Sequence, residues 1–203
     1  MKYKWLNQNN NKTLIMFFNG WGMDENVVEH LNCEGFDVVM FYDYNNLETD
    51  FDFQKEYSSK YIIAWSMGVM IASVFSQKCD ADKNIVINGT LKPIDENYGI
   101  HPKIYDLTIK GFNEQGREKF IQKMFDGNVL CRMPERTLLN QKNELLKLTN
   151  YISDYNFKPE KILISKNDKI IPTKNQCAFW NVEPTIEGGH CPFFNYTKWS
   201  ELL

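Results

Sequence analysis

Five short apolar runs recur along the chain, rich in β-branched and aromatic residues: Leu14 to Phe18, Val38 to Phe41, Tyr61 to Trp65, Ile85 to Ile87 and Ile162 to Ile164. A strand that is apolar on both faces must have both faces covered, which is the condition of a parallel sheet flanked by helices. The segments between the runs are long enough for crossover helices. In Met67 to Gln77, the residues Met67, Met70, Ile71, Val74 and Phe75 recur at helical spacing. The pattern predicts a doubly wound, mostly parallel α/β sheet. With 43% hydrophobic and 14% aromatic side chains, a single domain over residues 1–203 can fill the core that such a sheet needs.

Strand-like runs stop near Leu91 and resume at Ile162. Between 91 and about 155, helical candidates at Arg117 to Phe125 and Thr137 to Tyr151 replace them, punctuated by Gly127-Asn128 and Pro134. This stretch is expected to be a small helical cap inserted into the sheet domain. It holds every arginine of the chain, Arg117, Arg132 and Arg136, and carries a net +1 against −4 for the remainder. The asparagine-rich Asn7 to Asn11 reads as a turn or loop.

The overall net charge of −3 leaves no basic footprint for nucleic acid or a membrane surface, so a small substrate or a local patch must carry function. No apolar run is long enough to span a bilayer, and the start, MKYKWLNQNNNK, lacks the apolar stretch of a secretory signal, so a cytoplasmic location is expected. The five cysteines, Cys33, Cys79, Cys131, Cys177 and Cys191, are odd in number and scattered, with no C-x-x-C pair. They are expected to be reduced and structural, and neither a metal nor another cofactor is expected.

Chemistry concentrates at the end of the third run. Tyr61-Ile62-Ile63-Ala64-Trp65-Ser66-Met67-Gly68 joins a strand pattern to a helix pattern through a small-x-Ser-x-Gly turn, the arrangement of a nucleophile elbow with Ala64 in place of the first glycine. Such a turn lifts the serine hydroxyl to the C-terminal edge of the sheet and aims helix N-terminal N–H groups at a developing oxyanion. The alternative reading of Ser66 is an ordinary helix N-cap serine. Its partners, however, follow in the order this design requires, an acid and then a histidine, each after a strand. Asp168 lies in Ser165-Lys166-Asn167-Asp168, just past the last apolar run, and His190 ends Glu187-Gly188-Gly189-His190, where two glycines free the backbone to aim an imidazole. Of the other histidines, His30 is expected on a helix after the first run and His101 precedes a proline in the cap, and both fit packing roles better. The glycine-bounded turn Asn19-Gly20-Trp21-Gly22 can supply the Trp21 N–H to pair with the Met67 N–H in an oxyanion hole. Cys191 has no elbow around it and is not expected to be a nucleophile.

Four segments together carry a family resemblance over nearly the whole chain: Asn19 to Gly22, Ala64 to Gly68, Asn167 to Pro172 and Gly188 to Phe193. They resemble the BioG family, small hydrolases similar to pimeloyl-[acyl-carrier protein] methyl ester esterases. More distantly they are similar to the BioH esterases, in which a His-Gly-Trp-Gly motif stands where Asn19 to Gly22 stand here and the first elbow glycine is usually kept. The resemblance implies an α/β-hydrolase fold. It also implies hydrolysis of the methyl ester at the far end of a pimeloyl chain on acyl-carrier protein, for biotin synthesis, with Ser66, Asp168 and His190 as triad and Trp21 and Met67 as oxyanion pair. Carrier proteins are acidic around their prosthetic group, so Arg117, Arg132 and Arg136 are the expected receiving residues. Three matters stay open at this point. A general carboxylesterase or acyl thioesterase would use the same triad, a non-catalytic binding module would keep the fold, and the oligomeric state is not legible.

Overall fold

The computed structural model describes residues 1–203. Six strands form one sheet in the order β1 (Lys2–Asn7), β3 (Phe36–Tyr42), β2 (Thr13–Phe18), β4 (Ser59–Trp65), β5 (Lys83–Ile87), β6 (Lys161–Leu163). All neighbours are parallel except the edge pair β1 and β3. The two-sided apolar pattern has its counterpart in the packing: along β2, Leu14, Met16 and Phe18 enter the core on one face, while Ile15 and Phe17 enter the core on the other. Each such side chain, fully removed from water, contributes roughly 1.5–3 kcal/mol before the entropy of ordering is set against it.

Helix α1 (Gly68–Cys79) follows β4 directly and packs Val69, Met70, Ala72 and Phe75 on the first face. Three helices lie between β5 and β6: α2 (Pro102–Gly111), α3 (Glu114–Met124) and α4 (Leu138–Leu148). Helix α5 (Thr173–Trp180) follows β6. No helix of the chain is long and apolar enough to cross a membrane.

The second face departs from a helix-on-each-side arrangement. The segment after β2 makes only a 3-10 turn at Glu25–Val27, and this face is closed by Val27, Val28 and Leu31, by Ile121 and Met124 of α3, and by Phe193, Trp199 and Leu202 near the C-terminus. His30 therefore sits in a turn rather than on a helix, its ring stacked on Phe194 with centroids 4.3 Å apart. His101 is the N-cap of α2, accepting the Lys103 N–H at its Nδ1.

The topology fixes where a site can form. From β2 the chain moves to one side, to β3, and then crosses to the other side, to β4, so the switch point lies between the C-terminal ends of β2 and β4. Phe18 and Ala64 are register partners there, which sets Asn19 to Gly22 beside Ser66. Ile87 pairs with Leu163, setting the loops after β5 and β6 side by side.

Candidate active site

Ser66 lies with Met67 between β4 and α1 and has φ +58°, a left-handed conformation that a non-glycine residue adopts at some strain and that suits the sharp strand-to-helix reversal of an elbow. The reversal is tight enough to specify its neighbours. A Cβ on Gly68 would lie 2.2 Å from the carbonyl oxygen of Phe18 and 2.5 Å from that of Asn19, both backbone atoms that cannot yield. On the strand side Ala64 stands in the place of the first elbow glycine, fully buried.

His190 comes to the serine on the loop before the C-terminal segment, with Gly188 at φ +99°, open to glycine and unfavourable for other residues. His190 Nε2 lies 2.7 Å from Ser66 Oγ, and Nδ1 lies 2.7 Å from Asp168 Oδ2. A carboxylate only accepts, so the Nδ1 proton belongs on the Asp168 side, and Nε2 is left as acceptor for the Ser66 hydroxyl. The Asp168 carboxylate is itself held on four sides. Oδ1 accepts the N–H groups of Ile170 and Ile171 at 2.8 and 3.0 Å, and Oδ2 accepts Gln176 Nε2 at 2.8 Å beside the imidazole. All three side chains are buried, so the line Ser66–His190–Asp168 runs inward from one accessible end.

That end faces a narrow, mostly apolar cavity lined by Gly20, Trp21, Ser66, Met67 and His190 on the sheet side and by Tyr105, Phe120 and Leu145 from α2 to α4. The backbone N–H groups of Trp21 and Met67 border it, and neither has an acceptor within the protein. Met67 is also the N-cap of α1, where helix geometry leaves N–H groups unpaired. The cavity shares Ile100, Thr108, Phe120 and Ile170 with an open groove between α2 and α3. Ile104 and Leu107 are exposed along that groove, at 50% and 62%, and Lys119 and Lys123 line it, both exposed and outside the ion pairs of the chain.

The three arginines are placed otherwise than their composition suggested. Arg136 is nearly buried, with its guanidinium 2.8 Å from Glu144 and 3.2 Å from Asp43. Arg117 is mostly covered, pairing with Glu114 and donating to the Arg136 carbonyl. Arg132 is exposed but clamps both oxygens of Glu29 and the Asn26 side chain. They tie the α2–α4 segment to the sheet domain and within itself, which corrects the expectation of a cationic receiving face built from them. All five cysteines are free thiols. Burial pushes the Cys191 thiol well above its ordinary value, so it is held protonated beside His190 and is a poor nucleophile.

Three supporting residues escaped the sequence reading. The Trp65 indole N–H donates to the His190 carbonyl at 2.8 Å. Asn88, just past β5, donates to that same carbonyl at 2.9 Å and exchanges hydrogen bonds with Ser165, joining the loops after β5 and β6 to the histidine loop. Gln176 on α5 holds Asp168. Only Gln176 left a usable signal, since a helix beginning after Pro172 turns one residue in each turn back toward the acid loop.

Comparison with known proteins identifies the family. A family model described as "BioG: Pimeloyl-ACP methyl esterase BioG" matches residues 1–202. A malonyl-[acyl-carrier protein] O-methyltransferase of Bacteroides fragilis is 34% identical over 179 residues, covering 83% of this chain and 36% of that protein. The chain thus spans about a third of the length of that curated relative. The crystal structure of BioG from Haemophilus influenzae superposes with a TM-score of 0.90 at 30% identity, covering 100% of this chain and 99% of that one. A naproxen esterase from Bacillus subtilis, 10% identical, superposes with a TM-score of 0.55 over 94% of this chain and 81% of its own, a likeness of α/β-hydrolase fold.

Proposed function

The chain belongs to the BioG family of carboxylic ester hydrolases, and from that premise we propose that it hydrolyses the methyl ester of pimeloyl-[acyl-carrier protein]. The products are methanol and pimeloyl-[acyl-carrier protein], for biotin synthesis in the cytoplasm. The observation that carries this reading is the unbroken hydrogen-bonded line Ser66–His190–Asp168, opening on a cavity bordered by two N–H groups without acceptors.

In this reading His190 Nε2 takes the Ser66 proton as Oγ attacks the ester carbonyl. The carbonyl oxygen becomes an oxyanion and accepts the Trp21 and Met67 N–H groups. Asp168 supports the imidazolium. Collapse expels the methoxy group, which takes the proton from Nε2 and leaves as methanol. Water, deprotonated by the same nitrogen, then attacks the acyl-enzyme and frees the carboxylic acid. No step requires a metal or cofactor.

The helical segment over 91–155 acts as the cap. Its apolar surface from Tyr105, Phe120 and Leu145 suits the methylene chain, and the groove between α2 and α3 gives an extended prosthetic arm a path outward. With the arginines engaged internally, Lys119 and Lys123 are the cations at its rim that can meet an acidic carrier protein.

Labelling with a fluorophosphonate tests the machinery. A working serine hydrolase is labelled at Ser66, and His190→Ala blocks the labelling. An unlabelled wild-type protein would mark a hydrolase-fold binding module instead.

A further inference from the structure

Behind the oxyanion loop lies a buried charge cluster that the ester chemistry does not use. Glu144, on α4, is 0% exposed. Its Oε2 accepts the Gly22 N–H at 3.0 Å, its Oε1 accepts the Tyr44 N–H at 2.6 Å, and Arg136 Nη1 lies 2.8 Å from Oε2. Burial raises the Glu144 carboxyl, while Arg136 and the two N–H donors work against that rise. The same helix holds the loop at two more points: Gln141 Nε2 donates to the Gly22 carbonyl at 2.7 Å, and the Trp21 indole N–H donates to the Gln141 carbonyl at 2.8 Å. Among the N–H groups of Trp21 and Gly22, the Trp21 backbone amide alone is left without an acceptor.

We propose that Glu144 is a positioning residue for the oxyanion hole, its buried carboxylate on α4 fixing the Gly22 peptide and thereby the direction of the Trp21 N–H. This rests on the ester hydrolysis proposed above. The site requires a carboxylate in particular. Two backbone N–H donors and a guanidinium converge on it: a carboxylate gives each N–H its own accepting oxygen and sets a negative charge against the guanidinium, whereas an amide of the same shape offers one oxygen, turns its NH₂ toward a donor and carries no charge. A hole set by a fixed dipole acts on charge that appears in the transition state, so its loss falls on kcat rather than on substrate binding. A small displacement of a positioned group costs up to about 10²-fold in rate.

The test uses Glu144→Gln, together with the double variant Glu144→Gln/Arg136→Met, which leaves no buried guanidinium facing the amide. Asp43 keeps Lys2, Asn45 and Asn140 as partners in the double variant. Kinetics are read on a small soluble methyl ester, and inhibition is read with an alkyl trifluoromethyl ketone, whose adduct with serine places an oxyanion in the hole. For Glu144→Gln we expect kcat to fall by roughly 10- to 10²-fold, with KM within about twofold of wild type and the ketone inhibition constant rising in parallel with the loss of kcat. The double variant should regain thermal stability without regaining kcat. Recovery of kcat together with stability would make Glu144 a structural residue and overturn the proposal, as would kcat and inhibition within twofold of wild type in Glu144→Gln. Absence of ester hydrolysis by the wild-type protein would refute the underlying esterase reading and this inference with it, an outcome distinct from a normal wild type and an unaffected variant.

Discussion

The indole N–H of Trp65 donates to the backbone carbonyl of His190 at 2.8 Å, so the residue before the candidate nucleophile holds the loop that carries its candidate base. The rings lie 5.4 Å apart, and Trp65 is almost completely buried. Trp65→Phe keeps an aromatic ring and deletes the donor, while Asn88 continues to hold the carbonyl. Loss of one such bond lowers stability by about 1 kcal/mol. Misplacement of the imidazole should lower kcat by about tenfold. Urea unfolding and steady-state kinetics on one preparation check both; an unchanged kcat would mean that Asn88 alone suffices.

Asp43 makes stability depend on acid. Burial pushes its carboxyl up, but hydrogen bonds from Asn45 and Lys2 and the charge of Arg136 outweigh that and bring it down to about 2. A carboxylate whose value is depressed on folding stabilises the protein above its unfolded value of 3.8, and this contribution fades as pH falls from about 4 toward about 2. Allowing for screening through the exposed Lys2, we expect about 1–2 kcal/mol. Asp43→Asn should therefore be less stable than wild type at neutral pH, with the gap closing in acid. Urea titrations across pH would contradict this if the gap stayed constant.

The strands were legible because β2 to β6 present apolar residues to both faces, a pattern that owes little to distant neighbours. Strand β1 escaped because it lies at the edge: Lys2 and Lys4 face outward while Tyr3 and Trp5 pack inward, and the lysines made the segment read as a polar start. Helix α2 escaped although its sequence is amphipathic, because it is short, buries Tyr105 alone and leaves Ile104 and Leu107 exposed. Ser66, Asp168 and His190 could be picked out because each sits in a local turn pattern of its own. The arginines could not be placed correctly. Arg136 meets Asp43 and Glu144 only in three dimensions, and a count of charges along the chain is blind to that pairing.

If Lys119 and Lys123 face the carrier protein, the double charge reversal Lys119→Glu/Lys123→Glu should slow encounter with the carrier-linked ester by roughly tenfold at low salt and change turnover of a free methyl ester by no more than about twofold. The defect should shrink with added salt, since the Debye length is already ~8 Å at ~0.15 M ionic strength. Measuring kcat/KM for both substrates at two salt concentrations checks this. Equal loss on both would assign the lysines to the integrity of the groove instead.

The central claim is tested most directly by methanol release from pimeloyl-[acyl-carrier protein] methyl ester, compared among wild type, Ser66→Ala, His190→Ala and the double variant. Residues that act as one unit lose their effect together, and removal of a nucleophile of this kind costs on the order of 10⁶ in kcat. The account predicts turnover by wild type, near-complete loss in each single variant and no further loss in the double. Retention of more than about a hundredth of wild-type turnover by Ser66→Ala, against the 10⁶ expected, would contradict it.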